Sequence, residues 1–236
     1  VTSTREYIYV RFKAQPRSPV IAFLRITAGP HKAFDLNVTH TTVSDNGGRG
    51  VAIDNLRSSL HIHHSEISNN NHIAGVHVTS GAGDVNVTHS RITFNHGDGV
   101  NITYYGGHKN VSRSSLSRNE GFGLSVWLNQ TSKDRAEFLP VNQTTIIEYS
   151  RIIGNLEVGI LHGNYCGDFW VNITGNFFNE SISNGVDIQT CWFDKQDGKK
   201  LKLQIGHNDF QHSHKISIII SPALNIDGII EYNHFY

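Results

Sequence analysis

The stretch Ile62-His63-His64-Ser65-Glu66-Ile67-Ser68-Asn69-Asn70 is followed one repeat later by Val87-Thr88-His89-Ser90-Arg91-Ile92-Thr93-Phe94-Asn95. The two align position for position: an aliphatic anchor, a histidine two later, a serine three later, an isoleucine five later and an asparagine eight later. Working outward, the same register starts at Val38, Ile62, Val87, Val111, Ile147, Ile173, Ile205 and Ile230. Three residues after these anchors stand Thr41, Ser65, Ser90, Ser114, Ser150, Asn176, Asn208 and Asn233, all small and polar. Five after them stand Val43, Ile67, Ile92, Leu116, Ile152, Phe178, Phe210 and Phe235, all apolar. Asn46, Asn70, Asn95, Asn119 and Asn155 mark the eighth position of five repeats.

A glycine opens each next segment (Gly50, Gly75, Gly99, Gly123, Gly159, Gly185), and alternating stretches such as Val76-His77-Val78 and Val100-Asn101-Ile102 follow. Period two means strand, and Asn and Gly, which both tolerate left-handed backbone, are expected to make the bends. Anchor spacings of 24, 25, 24, 36, 26, 32 and 25 residues are too short for a strand, crossover helix and strand in each unit. They suit a coil of short strands, each repeat one rung, with like residues stacked in vertical files. The Leu-x-x-Leu-x-Leu signature of a leucine-rich horseshoe is absent. The expected fold is all-β: a right-handed parallel β-helix solenoid of about eight rungs of about 24 residues over 34–236, with 1–33 an irregular N-terminal rung or cap. The long spacings predict loop insertions at 129–142 and near Asp194 to Lys200, where Asp194-Lys195-Gln196-Asp197-Gly198 lacks the terminal Glu of a calcium loop and reads as a turn.

Lys plus Arg and Asp plus Glu are 20 each, which leaves no electrostatic footprint for nucleic acid or an anionic membrane. No apolar run is long enough to cross a bilayer, and the first residues lack the plan of a signal peptide, so the chain is expected to be a piece of a longer protein that does not itself insert in membrane. Sequons occur at Asn37, Asn86, Asn101, Asn110, Asn129, Asn142, Asn172 and Asn179; 22 Asn and 36 Ser or Thr in 236 residues give about three by chance. The excess points to an extracellular glycoprotein. The position before the anchor reads Asn37, His61, Asn86, Asn110, Ile146, Asn172, Gln204 and Ile229, so glycans are expected to line one outward face. Cys166 and Cys191 lie 19 and 18 residues after their anchors on adjacent rungs, and that stacking predicts a disulfide.

Parallel β-helices also carry polysaccharide lyases and hydrolases. None of the polygalacturonase strings Asn-Thr-Asp, Asp-Asp, Gly-His-Gly and Arg-Ile-Lys is present, nor is the Asp and Arg ladder of a pectate lyase. If the chain were such an enzyme, Asp98, Glu120 and Glu157, on three successive rungs, would be its carboxylates. No catalytic residue is expected, with a carbohydrate-active or carbohydrate-binding β-helix as the alternative. His40, His64 and His89 share one file, continued by Arg113 and Tyr149 and rejoined by His207. Stacked imidazoles offer ligands for zinc or copper, or a pH-sensing cluster. The simpler expectation is a ladder at a bend, with no metal or cofactor and with His61 and His63 on another face.

The segments Ile-Ser-Asn-Asn-Asn-His-Ile-Ala-Gly-Val (67–76), Ile-Thr-Phe-Asn-His-Gly-Asp-Gly-Val (92–100), Gly-His-Asn-Asp-Phe (206–210) and Asp-Gly-Ile-Ile-Glu-Tyr-Asn-His-Phe (227–235) look like parallel β-helix repeats of animal extracellular proteins. With the sequons, residues 34–236 resemble a β-helix segment of the Bark beetle (Anakonda) family; hyaluronan-associated cell-surface proteins and fibrocystin-like receptors carry similar repeats. The resemblance implies the ectodomain of a large single-pass plasma-membrane protein that organises tricellular and septate junctions. Its partners would be other junction or cell-surface proteins or a copy of itself on a neighbouring cell.

Overall fold

The computed structural model describes residues 6–8, 24–27, 34–54, 59–81, 83–104, 106–128, 143–165, 169–180, 182–190, 200–212, 215, 217–221 and 225–236. Among them there is no helix, and so none long and apolar enough to cross a membrane. The strands form three parallel sheets. The first has nine strands, Glu6–Ile8, Phe34–Thr39, Ser59–His63, Asp84–Thr88, Lys109–Ser112, Gln143–Glu148, Phe169–Thr174, Lys200–Gly206 and Asn225–Glu231. The second has eight, Thr42–Ser44, Glu66–Ser68, Arg91–Thr93, Ser115–Ser117, Arg151–Ile153, Phe177–Asn179, Asp209–Gln211 and His234–Phe235. The third has Leu24–Thr27, Val51–Asp54, Ala74–Gly81, Asp98–Tyr104, Leu124–Leu128, Ile160–Tyr165, Val186–Thr190 and Ile218–Ile220.

The chain visits the first, second and third sheets in turn and then begins the next rung. Seven consecutive turns have all three strands, with partial turns at both ends, a small difference from the eight rungs expected. Strands Glu6–Ile8 and Leu24–Thr27 add to the first and third sheets by pairing with Phe34–Leu36 and Val51–Asp54. The insertions at 129–142 and 191–199, with Asn129 and Asn142, lie outside the described residues, as do Cys166 and Cys191.

All eight anchors are register partners in one file, Val38 through Ile230. Val38 to Ile205 are buried, and so are Val43, Ile67, Ile92, Leu116, Ile152, Phe178 and Phe210 from the second sheet. One continuous apolar core results, since no rung could bury its inward side chains alone. Near its end the rings of Phe178 and Phe210 stack at 4.6 Å, and Phe235 follows at 5.1 Å.

The bends are built differently from the expectation. The left-handed residues are neither the asparagine file nor the glycines that open the third-sheet strands. They occupy the position just before the polar ladder residues. Gly154 and Gly175 (φ 62° and 68°) supply two of them, and the others are not glycine: His40, His64, His89, Arg113, Tyr149, His207 and Tyr232 have φ of 48–55°, and Asp45, Asn69, Phe94 and Arg118 have φ of 54–58°. Each costs about 1 kcal/mol or more unless its surroundings hold it. The following ladder residue does the holding. Ser65 N donates to Ser90 Oγ (3.1 Å), Ser90 N to Ser114 Oγ (3.1 Å) and Ser114 N to Ser150 Oγ (3.1 Å). The file then changes residue type without changing role, as Ser150 N donates to Asn176 Oδ1 (2.9 Å) and Asn176 N to Asn208 Oδ1 (2.9 Å).

At the second bend, Asn46, Asn70, Asn95, Asn119 and Asn155 are buried and joined amide to amide at 2.6–3.0 Å. This ladder explains the glycines. A Cβ on Gly75 would lie 2.6 Å from Asn95 Nδ2, and one on Gly99 would lie 2.6 Å from the Gly123 carbonyl and 2.8 Å from Asn119 Nδ2. Glycine is required there by close approach of the next rung, not by a positive φ.

Candidate functional site

With the inside filled, chemistry is left to the outward files and to polar breaks in the core. The outward file of the first sheet is in the expected register: Asn37, His61, Asn86, Asn110, Ile146, Asn172, Gln204 and Ile229 pair in succession. Four sequon asparagines therefore share one face, each half-buried. Asn179 lies on the second sheet, where His212 Nδ1 is 3.2 Å from its Oδ1. Asn101 is set apart on the third sheet. Its Nδ2 donates to Asp98 Oδ2 (2.6 Å), and its outward file contains the buried His77 and Ser125. Tyr165 and Thr190, each immediately before a cysteine, are register partners.

The histidine file forms as the repeat implies. His40 and His64 stack with centroids 5.2 Å apart, and His64 and His89 with centroids 5.0 Å apart. The expectation that His63 stands on another face is corrected. Its ring centroid is 4.0 Å from that of His64 and 5.4 Å from that of His89. The alternation rule that separates neighbouring side chains holds along a strand, and His64, at φ 48°, has left it. One ring nitrogen from each of His63, His64 and His89 lies within 4.8 Å of the others, and His63 Nδ1 is 2.6 Å from Thr88 Oγ1. Desolvation within the stack, then the charges of His63 and His40, hold the His64 imidazole below its usual range.

The three acidic residues have different hydrogen-bond partners. Asp98 is buried, with Oδ1 accepting from Phe122 N (3.0 Å) and Oδ2 from Asn101. Burial raises its pKa, the two hydrogen bonds oppose this, and Glu157 adds to the rise. Glu120 instead pairs with His96 at 3.1 Å, both side chains about half exposed. Glu120 and Glu157 hydrogen-bond through their backbones to different residues of the preceding rungs, Asn95 and Gly121. Asp98 thus staples a bend across two rungs.

Sequence reasoning missed a polar break in the core. Lys109 and Thr145 occupy the inward file otherwise filled by Leu60, Val85, Val171 and Leu203. His162 does the same between Val126 and Ile188. Thr145 Oγ1 and His162 Nε2 are 2.7 Å apart, and Lys109 Nζ donates to the Gly106 carbonyl. Burial pushes Lys109 down to about 7, against the pull of Asp84. Burial and then Lys109 push His162 well below the usual imidazole range. The signal was available, because Lys109 stands two residues before its anchor, where five other rungs carry Leu36, Leu60, Val85, Val171 and Leu203.

No family model matches this chain, and no solved structure matches it. It is 59% identical over its whole length, 237 aligned residues, to Protein bark beetle of Drosophila melanogaster, and it spans 8% of that relative's length. Identity at this level over every rung of a solenoid places the chain, as a β-solenoid segment, in the Bark beetle family.

Proposed function

We propose that this chain is a rigid, glycosylated, non-catalytic segment of an extracellular junction protein, serving as spacer and adhesion module in the ectodomain of a plasma-membrane protein. Its partners are other junction or cell-surface proteins, or a second copy on a neighbouring cell. The observation that carries the reading is the register of Asn37, Asn86, Asn110 and Asn172 in one outward file of a solenoid 59% identical to Protein bark beetle. An inner core locked by amide and hydroxyl ladders supports the spacer role, since each rung is fixed to the next by side chains as well as backbone. Glycans on the first sheet would leave the other faces and the inserted loops for partners.

The test uses the chain secreted from animal cells. Glycopeptide mapping is expected to find sugar on the first-sheet asparagines, and clustering of coated beads, or capture of junction ectodomains, reads adhesion. An unmodified first-sheet file together with strictly dispersed beads and no ectodomain captured would overturn the reading. So would release of products from a polysaccharide panel that is lost on Asp98→Asn.

A further inference from the structure

The first bend of the rungs anchored at Ile62 and Val87 concentrates imidazoles beyond what a repeating bend requires. Arg113 and Tyr149 continue the file of His64 and His89 in the same left-handed backbone, so the fold does not demand histidine there. His63, on the strand beside it, completes a group from two rungs. We propose that His63, His64 and His89 form a binding site for a divalent transition-metal ion, zinc or copper, that clamps these two rungs from outside.

The donor chemistry fits. Three neutral imidazoles suit zinc and copper, and three protein ligands leave one position for water or a ligand from a partner. The ring nitrogens lie within 4.8 Å of one another. Zinc–nitrogen bonds of about 2.0–2.1 Å in a tetrahedron bring such atoms to about 3.4 Å, so the rings must close by rotation. His64 and His89 are exposed and can turn about their side-chain bonds without disturbing the core. Their backbones stay fixed, with His64 N donating to Thr88 O (3.3 Å) and His89 N to Ser112 O (3.1 Å). Thr88 supplies the outer support typical of a metal-bound histidine. With His63 Nδ1–H donating to its hydroxyl, the lone pair is left on Nε2. His40, stacked on the far side of His64, limits how far that ring can swing away.

The experiment titrates zinc chloride, then copper(II) chloride, into the secreted chain, with calcium chloride as control. The expected result is one ion per chain by calorimetry, a rise in melting temperature, and no response to calcium. In the His64→Asn/His89→Asn double variant, asparagine keeps the left-handed backbone while removing both ligands. Binding should weaken by at least about tenfold, the loss that even an outer-shell partner typically causes. Should that variant fail to fold, modification of the wild-type histidines by diethylpyrocarbonate gives the same answer, with zinc expected to protect His63, His64 and His89 selectively. No heat of binding at micromolar zinc or copper, an undiminished response in the folded double variant, or protection located elsewhere, as at His96, would overturn the proposal.

Discussion

Replacing Asn119 with alanine tests whether the asparagine ladder holds the solenoid together. Its Oδ1 accepts from Asn95 N (3.1 Å) and Asn95 Nδ2 (2.9 Å), and its Nδ2 donates to Ile92 O (3.2 Å) and Asn155 Oδ1 (3.0 Å). The residue is fully buried, so no water replaces these bonds. Alanine removes all four and leaves the Asn95 N–H without its acceptor, while Asn155 Oδ1 still accepts from Asn119 N (3.1 Å). At about 1 kcal/mol net per bond, and somewhat more for the orphaned N–H, the cost is about 4 kcal/mol. Asn46 occupies the other extreme of the file, with one amide bond, to Asn70 Oδ1 (2.6 Å), and a buried Oδ1 that has no partner among the described residues. Asn46→Ala should therefore cost only about 1 kcal/mol. Urea unfolding followed by far-ultraviolet circular dichroism measures both. Costs for the two variants within 1 kcal/mol of each other would refute the idea that neighbours above and below set the value of a ladder residue.

The glycine argument predicts an asymmetry. Gly99→Ala, whose Cβ meets the Gly123 carbonyl at 2.6 Å, should destabilise by about 1–3 kcal/mol, whereas Gly47→Ala, with nothing within 4 Å, should be neutral or slightly stabilising in the same assay. Lys109 predicts a pH dependence. Its folded pKa is lowered to about 7, so between there and its ordinary value near 10.5 the unfolded chain holds a proton that the folded chain lacks. Stability should then climb with pH across that window relative to Lys109→Met, with no slope difference below it; parallel stabilities from pH 7 to 10 would contradict the assignment. For the cysteines, the pairing of Tyr165 with Thr190 leads to the proposal of a Cys166–Cys191 bridge. Non-reducing peptide mapping is expected to recover the linked pair, and two thiols that react with maleimide in the secreted protein would dispose of it.

Reading this fold from sequence worked where one physical requirement recurs on every rung. The anchor file and the file five residues later are aliphatic or aromatic each time, because each must fill the same interior slot, and they emerged in register without exception. The expected role of the bend residues was less accurate, since composition does not distinguish two uses of the same residue. Glycine at Gly75 and Gly99 is there for space, and the left-handed φ falls on the residues before the ladder positions, mostly His, Arg, Tyr, Phe and Asp, with Gly154 and Gly175 among them. The tight approach that demands glycine comes from an asparagine about 20 residues away, which no local pattern displays. Lys109 is inconspicuous for a related reason: it breaks the repeat, and a single exception has no periodicity to mark it. His63 was misplaced because alternation was carried one residue past the end of its strand.

The same division explains how one repeat can carry several unrelated surface chemistries. Inward positions and the two ladder positions answer to neighbours above and below, so a change there propagates along the axis. The left-handed residue before each ladder position reaches solvent and, where it is a ring, meets its neighbours in the file, and it varies among His, Arg, Tyr, Asp, Asn, Phe and Gly with no break in the ladders. Surface chemistry on this solenoid can therefore change rung by rung at almost no structural cost. Three histidines gathered over two rungs, where the rungs anchored at Val111, Ile147, Ile173 and Ile230 make the first bend with Arg113, Tyr149, Gly175 and Tyr232, are then better explained by what they contact outside the chain than by the fold beneath them.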